Sequence, residues 1–550
     1  MASDKVLINV NGKDYEVAAG QNVIDACASL GIEIPHFCYH PKLSLAGSCR
    51  MCLIQIGMPA VDRQTREIIH NEDGSIKIAW MPKPAIACGT KVCQNLHVIT
   101  DSDVVKSCRQ GALDFLLANH PLDCPICDAA GECKLQEYCN AYAKPSSRYF
   151  EEKNVKPKKT NIAGKIYLDN ERCVLCSRCI RICREILGKD YLSFTKRGSK
   201  TCVAALNPES IDNNYIMNIV DNCPVGALTS IDFRFKMRPW FLKVSNSVSA
   251  ESSAGTNIKV WSRENVIYRI TPRRNDDVND MWMSDSGRFE YKKTDAKFRL
   301  SCANLDGSDC ESQYALNRIC EIVKLGKCAI VASARQTFEE QFLVSKLAKE
   351  GKFDVYVPAH LGEDDHFLVS ADRTPNMRGA FVSGLVKEYP KTDLLALREK
   401  VLAGEITSIL SFDEDLLALG FSQKDLKSVN VIYCGTIKNE LSSLAKITLP
   451  IANEFEKAGS YINRQWRIQK FDSVIEPKSS VCNSISVVSA LIQAVSGENF
   501  ADITLADARR LIKDELGIDL NSVGENGMLL DSTKFASVKF PEERALHYDV

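Results

Sequence analysis

The sequence predicts a multidomain chain, α+β toward its N-terminal end and α/β toward its C-terminal end. Three observations carry this. Seventeen of the 23 cysteines fall within the first 223 residues, among short strand-like runs and loops. From about residue 325, buried-strand patterns alternate with helical ones, the signature of a mainly parallel sheet. The 550 residues exceed what one core serves, and imply roughly three or four domains of about 150 residues.

In chain order, Val6–Val10 and Lys13–Val17 flank Asn11-Gly12, a strong hairpin signal. Val23 to Leu30 has helical spacing, and Met51 to Ile56 reads as a strand, with a break at Asp73-Gly74. Residues 101–145 are mostly helical: Val105 through Leu117 keeps apolar positions three and four apart and stops near His120-Pro121. Lys153 to Lys159 is a polar, basic linker, and Cys179 to Ile186 reads as helix. Arg238-Pro239-Trp240 opens a β-rich stretch that runs through Val260 and Ile270. Strand patterns follow at Cys328–Ser333, Thr407–Ser411 and Val429–Tyr433, with a helical run at Phe338–Leu347. After about residue 515 the pattern assigns nothing.

Formal charge is -1 at pH 7, so no global basic field favours nucleic acid. Met1-Ala2-Ser3-Asp4-Lys5 opens directly into a strand pattern, with neither the apolar core of a signal peptide nor an Arg-rich leader. No stretch offers about 18 uninterrupted apolar residues, so membrane contact is expected only through partners. In a reducing compartment dense cysteines point to metal rather than disulfides. Isolated Cys320, Cys328, Cys434 and Cys482 read as packed core thiols.

Most of the remaining cysteines form three groups, one of them led by a histidine. Cys38, Cys49, Cys52 and Cys88 combine a short loop with one distant member, as plant-type [2Fe–2S] sites do. Small Ala46, Gly47 and Ser48 would let backbone N–H groups approach bridging sulfides. Zinc accepts four thiolates too, and Cys93 is an alternative to Cys88. His120, Cys124, Cys127 and Cys133 supply one nitrogen and three sulfurs, a set that suits a cluster or structural zinc; Cys139 reads as a packed thiol outside it. Cys173, Cys176 and Cys179 follow the C-x2-C-x2-C spacing of a [4Fe–4S] loop. The fourth position is either Cys183 or Cys223, and the proline after Cys223 favours the latter. His36 and His40 read as loop residues.

Long stretches of the chain resemble the large iron–sulfur subunit, of the NuoG or 75 kDa type, of respiratory NADH:quinone oxidoreductase, complex I. They include Cys38-Tyr-His-Pro-Lys-Leu-Ser, Gly47-Ser-Cys-Arg-Met-Cys52, Leu116-Leu-Ala-Asn-His120-Pro-Leu-Asp-Cys-Pro-Ile-Cys127, Gly131-Glu-Cys-Lys-Leu-Gln136 and Asp221-Asn-Cys-Pro-Val-Gly-Ala-Leu228. Arg238-Pro-Trp240, Gly255-Thr-Asn257, Arg273 to Asn279 and Ser284-Asp285 extend the likeness through roughly the first 300 residues. The resemblance implies an N-terminal β-grasp [2Fe–2S] ferredoxin domain and helical and ferredoxin-like [4Fe–4S] domains. It also implies a shortened C-terminal α/β domain resembling molybdopterin oxidoreductases, without that cofactor, in which Ser333-Ala-Arg335, Leu449-Pro450 and Glu454 to Ser460 look like remnants.

On that reading the domains span 1–98, 99–150, 160–235, 236–320 (β-rich, connecting) and 321–550. The implied iron ligands are Cys38, Cys49, Cys52 and Cys88 for one [2Fe–2S] cluster. His120, Cys124, Cys127 and Cys133 serve one [4Fe–4S] cluster, and Cys173, Cys176, Cys179 and Cys223 a second. Some family members carry a further C-x2-C-x3-C motif, which this chain lacks, Cys302 and Cys310 being too far apart. The implied work is electron relay from a flavin-bearing NADH-oxidising subunit, beside other peripheral-arm iron–sulfur subunits, toward quinone-site subunits. No catalytic acid or base is expected, and the implied location is the cytoplasmic face of the bacterial inner membrane, peripherally attached. The alternatives are the iron–sulfur subunit of a soluble NAD-linked hydrogenase or formate dehydrogenase, and a zinc-stapled adaptor without redox work.

Overall fold

The computed structural model describes residues 5–62, 64–294, 297–497 and 503–541. The reading of Met1–Asp4 lies outside them. One compact unit runs to Phe241 and a second begins at Leu242.

In the first unit, β1 (Lys5–Val10) and β2 (Lys13–Ala18) pair antiparallel, with Val10 opposite Lys13. Asn11 (φ 52°) and Gly12 (φ 82°) both take the left-handed conformation that a two-residue hairpin turn requires. Helix α1 (Val23–Ser29) follows, then β3 (Leu53–Pro59), β4 (Ile78–Trp80), β5 (Ala85–Ile86) and β6 (Leu96–Ile99). The sheet order is β2-β1-β6-β3-β4, with β5 paired to β3 and β1 parallel to β6. Ile8, Val10, Val23, Ile24, Ile54 and Val98 fill its core together with Cys52 and Cys88, so two of the first-group sulfurs are anchored by hydrophobic packing.

Helix α2 (Asp103–Asn119) starts where Ser102 Oγ accepts the Val105 N–H at 3.3 Å, and α3 (Lys134–Tyr142) packs against it. Buried Arg109 ties the pair, donating to the Thr100 carbonyl at 2.8 Å with its guanidinium 5.0 Å from the Tyr142 ring. Next come β7 (Thr160–Ile162), β8 (Ile166–Leu168), α4 (Arg178–Arg181), β9 (Leu192–Thr195), β10 (Cys202–Ala205), α5 (Asn218–Asp221) and β11 (Leu228–Ser230). They form a three-stranded sheet, β11-β8-β7, and a β9–β10 hairpin. The helix expected over Cys179 to Ile186 is α-helical only in α4 and continues as a π-type turn, Ile182–Ile186.

The second unit opens with the meander β12 (Lys243–Val248), β13 (Asn257–Arg263) and β14 (Val266–Pro272). The expected strand start at Arg238-Pro239-Trp240 is instead a 3₁₀ turn, Pro239–Phe241, where proline has no N–H to give a ladder. Beyond lie β15 (Ala303–Leu305), β16 (Ser308–Cys310), β17 (Cys328–Val331), β18 (Asp354–Tyr356), β19 (Ser408–Phe412), β20 (Asn430–Gly435) and β21 (Ile447–Pro450). They form one sheet, β16-β15-β21-β20-β19-β17-β18, in which β17 to β21 run parallel and β15 and β16 antiparallel. Alternate residues feed its two faces. Ile330, Leu410 and Ile432 pack with helices Phe338–Gly351 and Ser484–Ser496, and Ala329, Val331, Ile409 and Val431 with helix Leu395–Leu402. Past residue 515, helix Leu505–Leu516 ends at Gly517 (φ 73°), and Met528–Leu529 forms a short strand. Among the described residues no helix is long and apolar enough to cross a membrane.

Candidate metal centres

Cys38 sits in the loop after α1, and Cys49 to Cys52 lie in the loop entering β3, where Gly47 (φ 61°) and Arg50 (φ 57°) reverse the chain. Cys88 lies in the single turn Ala87–Gly89 after β5. The four thiols meet as two pairs: Cys38 and Cys49 Sγ are 3.4 Å apart, and so are Cys52 and Cys88. Hydrogen bonding to Cys49 holds Cys38 down at about 5, and bonding to Cys88 holds Cys52 down at about 7. Hydrogen bonding to Cys52, burial and the nearby Cys38 and Cys49 push Cys88 up. Exposed Cys93 instead lies 4.0 Å from Met58 Sδ. His36 Nδ1 is 2.8 Å from the Ile34 carbonyl within its own loop, and His40 is buried.

His120 caps the C-terminal end of α2, Cys124 and Cys127 bracket the turn Cys124–Ile126, and Cys133 precedes α3. All four line one cavity with Asp123, Gln136, Arg172 and Gly226. Burial, then Lys153 and Arg172, lowers His120 to about 4, which keeps the imidazole neutral and able to bind metal near pH 7. Arg172 is fixed by Asp123 at 3.0 Å. Arg238 donates to the carbonyls of Pro125 and Cys127, holding the ligand loop from outside. Gly226 fits where no other residue does: a Cβ there would stand 2.3 Å from Cys127 Sγ. Cys139 lies outside the cavity lining, pushed up to about 11 by burial.

Cys173, Cys176, Cys179 and Cys223 line a second cavity with Leu168, Val174, Val203 and Val225. Leu175 (φ 53°) and Ser177 (φ 61°) coil the loop tightly, and the Leu175 N–H donates to Cys173 Sγ at 3.4 Å. Burial in these apolar walls pushes Cys173, Cys176 and Cys223 up to about 11, and pushes Cys179 up as well. Cys183 is buried outside the lining and pushed up to about 12. The segment from Cys223 to Gly226 therefore serves two sites, one through its thiol and one through its missing side chain. Cys328 and Cys434 are buried in the second unit's core, with Cys320 and Cys482 packed against it. Among the described residues no group of three or more His, Cys, Asp or Glu side chains converges tightly enough for a single metal ion.

The arrangement defines a class: a protein with three soft-donor sets, each of the composition that iron–sulfur clusters take. Comparison with known proteins narrows it. Family models match a 2Fe-2S iron-sulfur cluster binding domain over residues 3–103 and the NADH-ubiquinone oxidoreductase-G iron-sulfur binding region over 109–148. Others match the ferredoxin-like domain of NADH-quinone oxidoreductase subunit 3 over 164–229 and an NDSU1/NuoG-like 4Fe-4S domain over 242–292. The NADH-quinone oxidoreductase G-subunit of Rickettsia felis is 34% identical over 352 residues, 63% of this chain and 49% of that protein. The NADH-ubiquinone oxidoreductase 75 kDa subunit of Reclinomonas americana is 38% identical over 286 residues, 52% of this chain and 38% of that protein. The chain thus matches the domains of the NuoG or 75 kDa subunit family, and it spans about half the length, or less, of these curated relatives. A solved NAD+-reducing [NiFe]-hydrogenase chain in the H2-reduced state shares 23% identity over 42% of this chain and 91% of that one, with a TM-score of 0.33.

The match over 242–292 contains no cysteine. Ser249-x2-Ser252-x3-Thr256 stands there at the spacing of the additional motif, and all three are buried. Ser249 Oγ donates to Glu290 at 3.0 Å, and Ser252 Oγ accepts from the Ser370 N–H at 3.3 Å. Arg172, Arg238 and Gly226 touch the second group in ways that ligand spacing could not reveal.

Proposed function

We propose that the chain is the electron-transfer subunit of an NADH:quinone oxidoreductase. It would bind one [2Fe–2S] cluster through Cys38, Cys49, Cys52 and Cys88, and two [4Fe–4S] clusters, one through His120, Cys124, Cys127 and Cys133 and one through Cys173, Cys176, Cys179 and Cys223. The observation that carries the reading is the convergence of twelve donors on three places, four to each. The donor chemistry fits. Two thiol pairs suit two irons, and a neutral imidazole with three thiols suits a cluster made less negative by its histidine. Bound there, the clusters supply one-electron redox chemistry.

The chain's own residues do the rest. Val174, Val203 and Val225 exclude water around the third group, Arg172 and Arg238 fix the loop of the second, and Phe37 donates its N–H to Cys49 at 3.4 Å in the first. Electrons would come from a flavin-bearing NADH-oxidising subunit and leave toward quinone-site subunits, beside other peripheral-arm iron–sulfur subunits. The chain would lie peripherally on the cytoplasmic face of a bacterial inner membrane. A β-grasp domain over 1–98, cluster domains over 99–150 and 160–235, a connecting domain over 236–320 and a cofactor-free scaffold resembling molybdopterin oxidoreductases over 321–550 complete the proposal.

The test is Cys176→Ala in the assembled complex. One four-iron EPR signal should vanish, the [2Fe–2S] signal should stay, and NADH-to-quinone flow should fall. Unchanged signals and unchanged flow would refute the assignment.

A further inference from the structure

The helical turn that carries Cys179 of the third thiol group faces the loop of the first. Arg178, Arg181 and Glu185 recur at three- and four-residue spacing and share one side of that turn. Arg181 is only 8% exposed. Its Nη2 donates to the carbonyl of Cys38 and, at 3.3 Å, to that of Cys176, while Nη1 donates to the Ser44 carbonyl and Nε to Ser177 Oγ at 3.1 Å. Arg178 donates to the Tyr39 carbonyl and, at 3.4 Å, to that of Asn222 beside Cys223. Glu185 accepts from the Ser44 N–H at 2.8 Å and from its hydroxyl at 2.5 Å. One nitrogen therefore holds the backbone of a ligand-candidate cysteine in each of two groups that lie more than a hundred residues apart in sequence.

Guanidinium stays protonated in proteins, so this is a fixed positive charge. Taking up an electron makes a cluster more negative, and a positive charge held nearby, in a poorly screened interior, stabilises that state. We propose that Arg181 is a positioning residue shared by the Cys38 and Cys173 groups, which locks their two ligand loops together and raises the reduction potential of both clusters. The inference rests on the reading of those groups as iron–sulfur sites. Because Nη2 is common to both carbonyls, it requires the two potentials to move together.

The experiment is a redox titration, followed by EPR, of the full chain reconstituted anaerobically with iron and sulfide. Arg181→Gln keeps a hydrogen-bonding side chain and removes the charge. Both the [2Fe–2S] potential and that of the Cys173-group cluster should become more negative, with the His120-group potential unmoved. Arg181→Lys keeps the charge and should leave both nearer their original values. Arg184→Gln, at an exposed position of the same turn, should move neither. A shift at one site only, or at neither, overturns the inference. So does loss of both clusters in the Gln and Lys variants alike, which would make Arg181 a folding residue and no more. Failure of the unsubstituted chain to take up either cluster would overturn the underlying reading instead, so the two failures are distinguishable.

Discussion

Substituting Gly226 with alanine should empty one site and spare the other two. A Cβ at this position would stand 2.3 Å from Cys127 Sγ and 3.2 Å from Ala129 Cβ. Non-bonded heavy atoms settle at about 3.5–4.0 Å, so the sulfur must retreat by about 1 Å or more. Metal–ligand distances tolerate about 0.2 Å, roughly a fifth of that displacement. Gly226 does not lie in the left-handed region, so alanine's own backbone is no obstacle and the effect belongs to the contact with sulfur. Overpacking of this kind costs about 1–3 kcal/mol, which a folded domain can bear while losing one ligand. The assay is iron content and low-temperature EPR of the full chain. About four of about ten irons should disappear, with the [2Fe–2S] signal and the Cys173-group signal retained. Gly111→Ala, in α2 with open space around it, is the matched control and should lose no iron. Unchanged iron and three intact signals in the Gly226→Ala protein would refute the reasoning.

Cys223→Ser should remove the Cys173-group signal while Cys183→Ser leaves it, because only Cys223 lines that cavity; the reverse pattern in EPR would reassign the fourth ligand. His120→Cys should keep the iron but lower that site's potential, since thiolate adds negative charge where imidazole adds none. A redox titration with no shift would contradict the ligand role. Glu290 supplies a pH test. Burial pushes it from its ordinary 4.5 to about 7, with Lys293 opposing and Glu454 and Glu251 adding to the rise. The folded chain then holds a proton that the unfolded chain releases, so this residue's contribution is full below 4.5 and is lost as pH rises to about 7. Glu290→Gln should therefore stabilise the second unit by up to ~3 kcal/mol at pH 8 and by little at pH 4, read by denaturant unfolding. Equal effects at both pH values would contradict the burial argument.

What the sequence made legible was local. Asn11-Gly12 announces its hairpin because only a left-handed turn joins strands that closely, and Cys173, Cys176 and Cys179 announce a binding loop because their spacing brings three sulfurs into one coil. Alternation of buried strands and helices after residue 325 was equally plain. The proline after Cys223 identified a distant participant, and that participant does line the cavity while Cys183 does not. Arg181 and Gly226 were illegible for a physical reason. Arg181 meets Cys38 across 143 positions and Gly226 meets Cys127 across a fold, and no periodicity encodes such contacts. Pro239 misled because β-type neighbours surround it, yet its missing N–H leaves a turn in place of a strand. The Ser249-x2-Ser252-x3-Thr256 run carries a cysteine motif's spacing without its chemistry, and becomes visible only beside a matching domain.

The most direct measurement is the iron and acid-labile sulfide content of the anaerobically isolated full chain, taken with its zinc content. About ten irons and about ten sulfides per chain, and negligible zinc, is the expected composition for one two-iron and two four-iron clusters. Stoichiometric zinc with no labile sulfide would contradict the account.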